Sequence, residues 1–133
     1  MSAWDALAAE LDRWAAAGRT AAFWWRDDDA AEATPALSRL LDLRACLGVP
    51  LAVAAIPATA QPSLAVALAG IDDIAVLQHG WAHRNHAAAG AAKIELGGGR
   101  AAWDIAAELA RGRSRLIESR HHCGKPRSLP QRG

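Results

Sequence analysis

The sequence predicts an α/β fold: a parallel, (β/α) barrel-like arrangement, incomplete, with about three strands and flanking helices. Short apolar runs stand at Ala21–Trp25, Leu51–Ile56 and Ile74–Leu77. Each is too brief for a helix, and each is apolar throughout rather than alternating, as strands buried on both faces are. Helical segments with caps separate them, the signature of βαβ units.

The first segment, about Ala3 to Ala17, sets Trp4, Leu7, Leu11 and Trp14 on one face and is expected to pack, with Gly18 past its end. Ala21–Trp25 reads as strand one and stops at Arg26 and the acidic triplet Asp27-Asp28-Asp29. Thr34-Pro35 supplies an N-cap and first-turn pair. Leu37, Leu40, Leu41 and Leu47 follow at helical spacing until Gly48. Leu51–Ile56 is strand two, closed by Pro57; a helix from about Pro62 to Ala69 ends at Gly70. Ile74–Leu77 is strand three and runs into Gln78-His79-Gly80. An Ala/Gly-rich loop, Lys93–Leu96 and a three-glycine turn precede a last helix from about Arg100 to Glu118, striped by Ile105, Leu109 and Leu116. Trp4, Trp14 and Trp103 fall on helix faces and are expected in the core. Gly97–Gly99 lacks the Lys-Ser/Thr of a phosphate loop, so that reading is rejected.

Composition narrows the classes. The chain has 133 residues with 52% apolar and 22% charged, which suits one globular domain. No apolar run approaches the roughly 20 residues that span a bilayer. The start, Met1-Ser-Ala-Trp-Asp5, lacks a secretory pattern, so no membrane partner and a cytoplasmic location are expected. Cys46 and Cys123 form no disulfide framework. Charge is divided: residues 1–110 hold 8 Lys/Arg and 13 Asp/Glu, whereas residues 111–133 hold 7 and 1. The expected organisation is therefore 1–118 as a folded unit and 119–133 as a basic irregular tail.

Parallel strands place their C-terminal ends on one sheet edge, where α/β folds bind ligands. Strand one brings the aspartates there, and strand three brings His79 with His83. Two imidazoles and a carboxylate leave a divalent metal open positions, and a neighbouring carboxylate can take the proton of a bound water. Each motif alone has a bland reading, a solvated turn for the aspartates and a chance pair for the histidines. Their arrival at one edge favours the metal. Trp81 is either a pocket wall that stacks on a sugar or a plug onto the core, with equal weight; Asn85 and His86 read as loop residues.

Phe23-Trp-Trp-Arg-Asp-Asp-Asp29 and His79-Gly-Trp-Ala-His83-Arg-Asn85 together resemble the first two motifs of the polysaccharide deacetylase family, carbohydrate esterase family four. The resemblance covers about residues 20–118. It implies a deformed (β/α) barrel that removes acetyl groups from glycans with a divalent metal, usually zinc. Aligning the family's aspartate pair just ahead of Ala30 makes Asp28 the catalytic base and Asp29 a metal ligand. His79 and His83 become the other ligands. Apart from the resemblance, Arg26 and Trp81 are expected to contact substrate. An alternative register assigns the aspartate roles to Asp27 and Asp28. The family's later Arg/Pro segment and its Leu-x-x-His motif are absent. The expectation is thus an N-terminal portion, with the tail from about Arg120 either a truncation or an altered reading frame, and with activity impaired.

Rival readings remain. Two histidines and a carboxylate also suit non-haem iron oxygenases, although those need a jelly roll of many short strands. A non-catalytic scaffold with a nucleic-acid-binding tail is the other. Unpaired strand edges predict self-association.

Overall fold

The computed structural model describes residues 2–123. Its elements are α1 (Ala3–Ala16), β1 (Arg26–Ala30), α2 (Pro35–Leu47), β2 (Leu51–Ala55), α3 (Pro62–Leu68), β3 (Ile74–Gln78) and α4 (Ala102–Cys123). The strands form one parallel sheet in the order β1-β2-β3. This is the expected α/β arrangement of three parallel strands with flanking helices.

The central strand is the core. Every residue of β2 is buried, and Val53, Ala54 and Ala55 are completely so. Leu37 of α2 and Leu64 of α3 close over it, with Leu40, Leu41, Leu68 and Leu116 partly buried around them. The helices between strands start and stop where local chemistry dictates. Thr34 Oγ1 accepts the Leu37 N–H at 3.1 Å, Pro35 takes the first turn, and Gly48 ends α2 at a φ of 62°. Such a cap contributes about 1 kcal/mol, and a left-handed residue at that end suits glycine. The α4 stripe of Ile105, Leu109 and Leu116 is half-buried, as its spacing predicts.

Four expectations are corrected. Strand one is not Ala21–Trp25. Pairing starts with the Ala52 N–H donating to the Trp25 carbonyl at 2.9 Å, and the ladder then runs through the aspartates: Arg26 opposite Ala52, Asp27 opposite Val53, Ala30 opposite Ala55. An edge strand leaves carboxylates in water, so the poor strand propensity of Asp does not exclude it there. Phe23 and Trp24, on which the earlier placement relied, are exposed.

The tryptophan assignment also fails. Trp4 is 77% and Trp103 83% exposed, and no residue of α1 is buried. Trp14 is half-buried, with the Arg19 guanidinium 4.0 Å from its ring. An apolar stripe defines a core face only where a second layer covers it, and α1 has none among the described residues. Leu47, at the exposed end of α2, is likewise outside the core. Finally, α4 continues past Glu118 to Cys123, so helix replaces the first residues of the expected tail; residues 124–133 lie outside the described residues.

Among the described residues, no helix is long and apolar enough to cross a membrane. The outer edges of β1 and β3 carry no further strand there, and Trp4, Phe23, Trp24 and Trp103 add exposed apolar surface. Open edges of this kind pair with other chains. The expected result is concentration-dependent association. Size-exclusion chromatography with light scattering checks it, and a monomer that persists at the highest attainable concentration contradicts it.

Candidate metal centre

Register brings the motifs together. Ala55 of β2 lies opposite both Ala30 of β1 and Gln78 of β3, and its carbonyl accepts the His79 N–H at 2.8 Å. The residues just before Ala30 and just after Gln78 therefore flank one point on the C-terminal rim. Between Asp27 and Ala30 the ladder slips, and Asp29 takes a φ of 63°. That irregularity turns Asp29 off the strand. Beyond β3, Gly80 (φ 60°) and His83 (φ 53°) bend the chain back over the same rim. Aspartate and histidine adopt the left-handed region more readily than most residues, and Asp73 on the turn before β3 does so as well, at a φ of 58°.

The outcome is a compact cluster. His79 Nε2 lies 3.2 Å from Asp29 Oδ1, and His83 Nε2 lies 3.5 Å from the same oxygen. One ligand atom from each residue falls within 4.8 Å of the others. The rings stand 5.2 Å apart, tilted by 37°. Two ligand atoms each about 2.1 Å from a shared tetrahedral ion are roughly 3.4 Å apart, so the two His–Asp separations match a common zinc-type site. Asp29 and His83 are exposed and His79 half-buried, which leaves an approach from solvent.

Asp28 stands beside the cluster. Its Oδ1 accepts the Arg26 Nε–H at 2.6 Å and lies 2.5 Å from Arg26 Nη2 and 3.5 Å from His79 Nδ1. Arg26 Nη2 is also 3.1 Å from His79 Nδ1. A guanidinium only donates, so this contact makes Nδ1 the acceptor and places the ring proton on Nε2, facing Asp29. Holding a cation through Nε2 requires the other tautomer, in which Nδ1–H points to the Asp28 carboxylate. Arg26 Nε bonds Asp28 independently of the Nη2 contact to His79, so the donor set would fit a divalent ion once that one contact is given up. Asp27 is committed to the ladder opposite Val53 and is not part of the cluster.

Trp81 is half-buried, with the Arg111 guanidinium of α4 5.1 Å from its ring, and its carbonyl accepts the Ala58 N–H at 2.9 Å. These contacts hold the histidine loop against the body of the protein. Asn85 acts within its loop, as read from the sequence: its Oδ1 accepts the N–H groups of Ala87 and Ile94, both at 3.0 Å.

Two features escaped the sequence reading. Gln78 Nε2 donates to the Gly80 carbonyl at 2.9 Å and to Leu109 of α4 at 3.0 Å. Gly112 permits this approach, since a Cβ there would stand 2.9 Å from the Pro57 ring and press on the Gln78 amide. The second is Glu95, whose Oε1 accepts the N–H of Ala82 at 2.7 Å and of Trp81 at 3.1 Å. Partial burial works to raise its pKa. The N–H groups of Ala82, Trp81, Arg84 and His83 outweigh that, and the pKa lies below the ordinary value. A depressed folded-state pKa means stability present above the unfolded value and lost as pH falls through the folded one. Histidine-loop order is thus expected to weaken in acid. The sequence signal was slight: one acid in an Ala/Gly-rich stretch, and a glycine directly after His79.

The parallel three-stranded sheet thus carries one carboxylate and two imidazoles within a possible ligand sphere at its C-terminal rim. No family model matches the chain, and no match is found among curated proteins or solved structures.

Proposed function

We propose that the chain is a metal-dependent hydrolase related to polysaccharide deacetylases, its sheet the opening strands of a (β/α) barrel, and that it removes acetyl groups from a carbohydrate by hydrolysing the C–N bond. One observation carries this reading: Asp29, His79 and His83 converge within a ligand sphere while Asp28 is held beside them by Arg26. Asp29, His79 and His83 would hold the divalent ion, zinc being the first choice for two imidazoles and one carboxylate. When bound, it polarises the acetyl carbonyl and lowers the pKa of its water.

The chain's own groups do the rest. Asp28 accepts the proton of the attacking water as oxygen adds to the acetyl carbon. Arg26 anchors that carboxylate through two short contacts to Oδ1. Cleavage leaves acetate and a free amine, and the departing nitrogen needs a proton. An arginine does not give one up, and His79 and His83 are spent as ligands, so Asp28 must return the proton it took. One group serving both steps makes turnover slow. Trp81, in the loop between the ligands, offers an aromatic edge to a sugar.

The test is acetate release from an N-acetylglucosamine oligomer. Release is expected with stoichiometric Zn²⁺ or Co²⁺ and is expected to stop with a chelator. Release that ignores the chelator, or no release by fully metal-loaded protein from N- or O-acetylated glycans, overturns the proposal.

A further inference from the structure

We propose that Glu95 is a positioning residue for metal capture, holding the His79–His83 loop in its ligating shape before any ion arrives. The inference rests on the metal reading above. Residues 80–84 belong to no helix or strand, so their N–H groups have no ladder to satisfy them. The Glu95 carboxylate takes two of them directly, from Trp81 and Ala82, on a single oxygen. Consecutive backbone donors around one anion form a nest, and here the anion is supplied by the chain itself.

Two further observations show that the contact is built in. Gly80 is tight against Glu95: a Cβ at that position would overlap the carboxylate, and its φ of 60° already favours glycine. Glu95 is fixed from behind as well. Its carbonyl accepts Arg100 Nη1 at 3.3 Å, Arg100 pairs with Glu108 of α4 at 2.7 Å, and Ile94 bonds back to Asn85 and His86. Through Arg100, α4 thus anchors the backbone from which the Glu95 carboxylate reaches the loop.

The consequence concerns His83. It is exposed and left-handed, and its side chain meets only the Asp29 carboxylate at 3.5 Å and the His79 ring at 5.2 Å among the described residues, contacts too sparse to fix it alone. Its placement follows from its backbone, which Glu95 holds at the two residues immediately before it, Trp81 and Ala82. Loss of the carboxylate would let residue 83 relax to ordinary φ and withdraw one of three ligands. Outer groups that orient metal ligands are worth roughly 10- to 100-fold in affinity.

The experiment titrates the full chain with Zn²⁺ against a chromophoric chelator and records the visible spectrum of the Co²⁺ form. The variants are Glu95→Ala, Glu95→Gln and, as a stability control, Thr34→Ala. Glu95→Ala is expected to weaken Zn²⁺ binding about 10- to 100-fold and to change the Co²⁺ spectrum as coordination is lost. Glu95→Gln, which keeps one acceptor oxygen, falls between and covers the case in which Glu95→Ala does not fold. Thr34→Ala lowers thermal stability and leaves affinity unchanged. Equal affinity in wild type and both Glu95 variants overturns this inference alone. Failure of the wild type to take up Zn²⁺ overturns the metal reading together with it.

Discussion

His79→Ala is expected to lower Zn²⁺ affinity by more than about 100-fold, since loss of even an outer partner of a metal ligand costs roughly 10- to 100-fold. His79 is the best-placed member of the cluster. Its backbone is locked to β2 through the Ala55 carbonyl, and its ring is half-buried between Asp29 and Asp28. Asp29→Asn should have a comparable effect by a different route, because it preserves shape and removes the only anionic ligand. Exposed carboxylates attract cations weakly without a built site, so a control is needed. Asp72→Asn, on the exposed turn before β3, removes the same charge elsewhere. Metal content after dialysis should fall in His79→Ala and Asp29→Asn and stay at the wild-type level in Asp72→Asn. Equal content in all four proteins would remove the site.

How far the sequence discloses this arrangement depends on whether a signal is local. Thr34, Pro35 and Gly48 act on their own backbone neighbours, and α2 begins and ends where they imply. Leu51–Ala55 is apolar throughout and is buried throughout. The arrival of the aspartates and histidines at one rim was also legible, because parallel strands share a C-terminal edge, whereas the close meeting of Asp29 with His79 and His83 is set by register. What failed depended on partners. Trp4 and Trp103 lie on helix faces that another layer would bury, but only neighbouring elements decide whether a layer is there. Ala21–Trp25 has stronger strand character than Arg26–Ala30, yet register against the buried β2 selects the latter. Glu95 was invisible because its role is to satisfy backbone donors in a loop fourteen or so residues away, which leaves no periodicity. The choice between Asp27–Asp28 and Asp28–Asp29 was undecidable from spacing. The slip before Ala30 turns Asp29, and not Asp27, toward the histidines.

Asp28→Asn provides the sharpest separation of roles. On the proposed mechanism Asp28 takes the water's proton and should contribute about 10²- to 10⁴-fold to the rate of acetate release. An amide of the same shape keeps the hydrogen-bonding outline toward Arg26 but cannot accept that proton. The rival role is geometric: Asp28 Oδ1 lies 3.5 Å from His79 Nδ1, where a carboxylate commonly orients a ligating imidazole. The two roles predict different measurements. A proton acceptor loses kcat at saturating Zn²⁺ while metal affinity changes by no more than a few-fold. An orienting group loses affinity by about 10- to 100-fold, and its activity returns as Zn²⁺ is raised. Arg26→Met refines the comparison, because it frees the Asp28 carboxylate without removing it and also withdraws the guanidinium that opposes the ligating tautomer of His79. That variant should bind Zn²⁺ at least as tightly as wild type yet turn over more slowly. Weaker Zn²⁺ binding, or unchanged turnover, in Arg26→Met would contradict this placement of the arginine between Asp28 and His79.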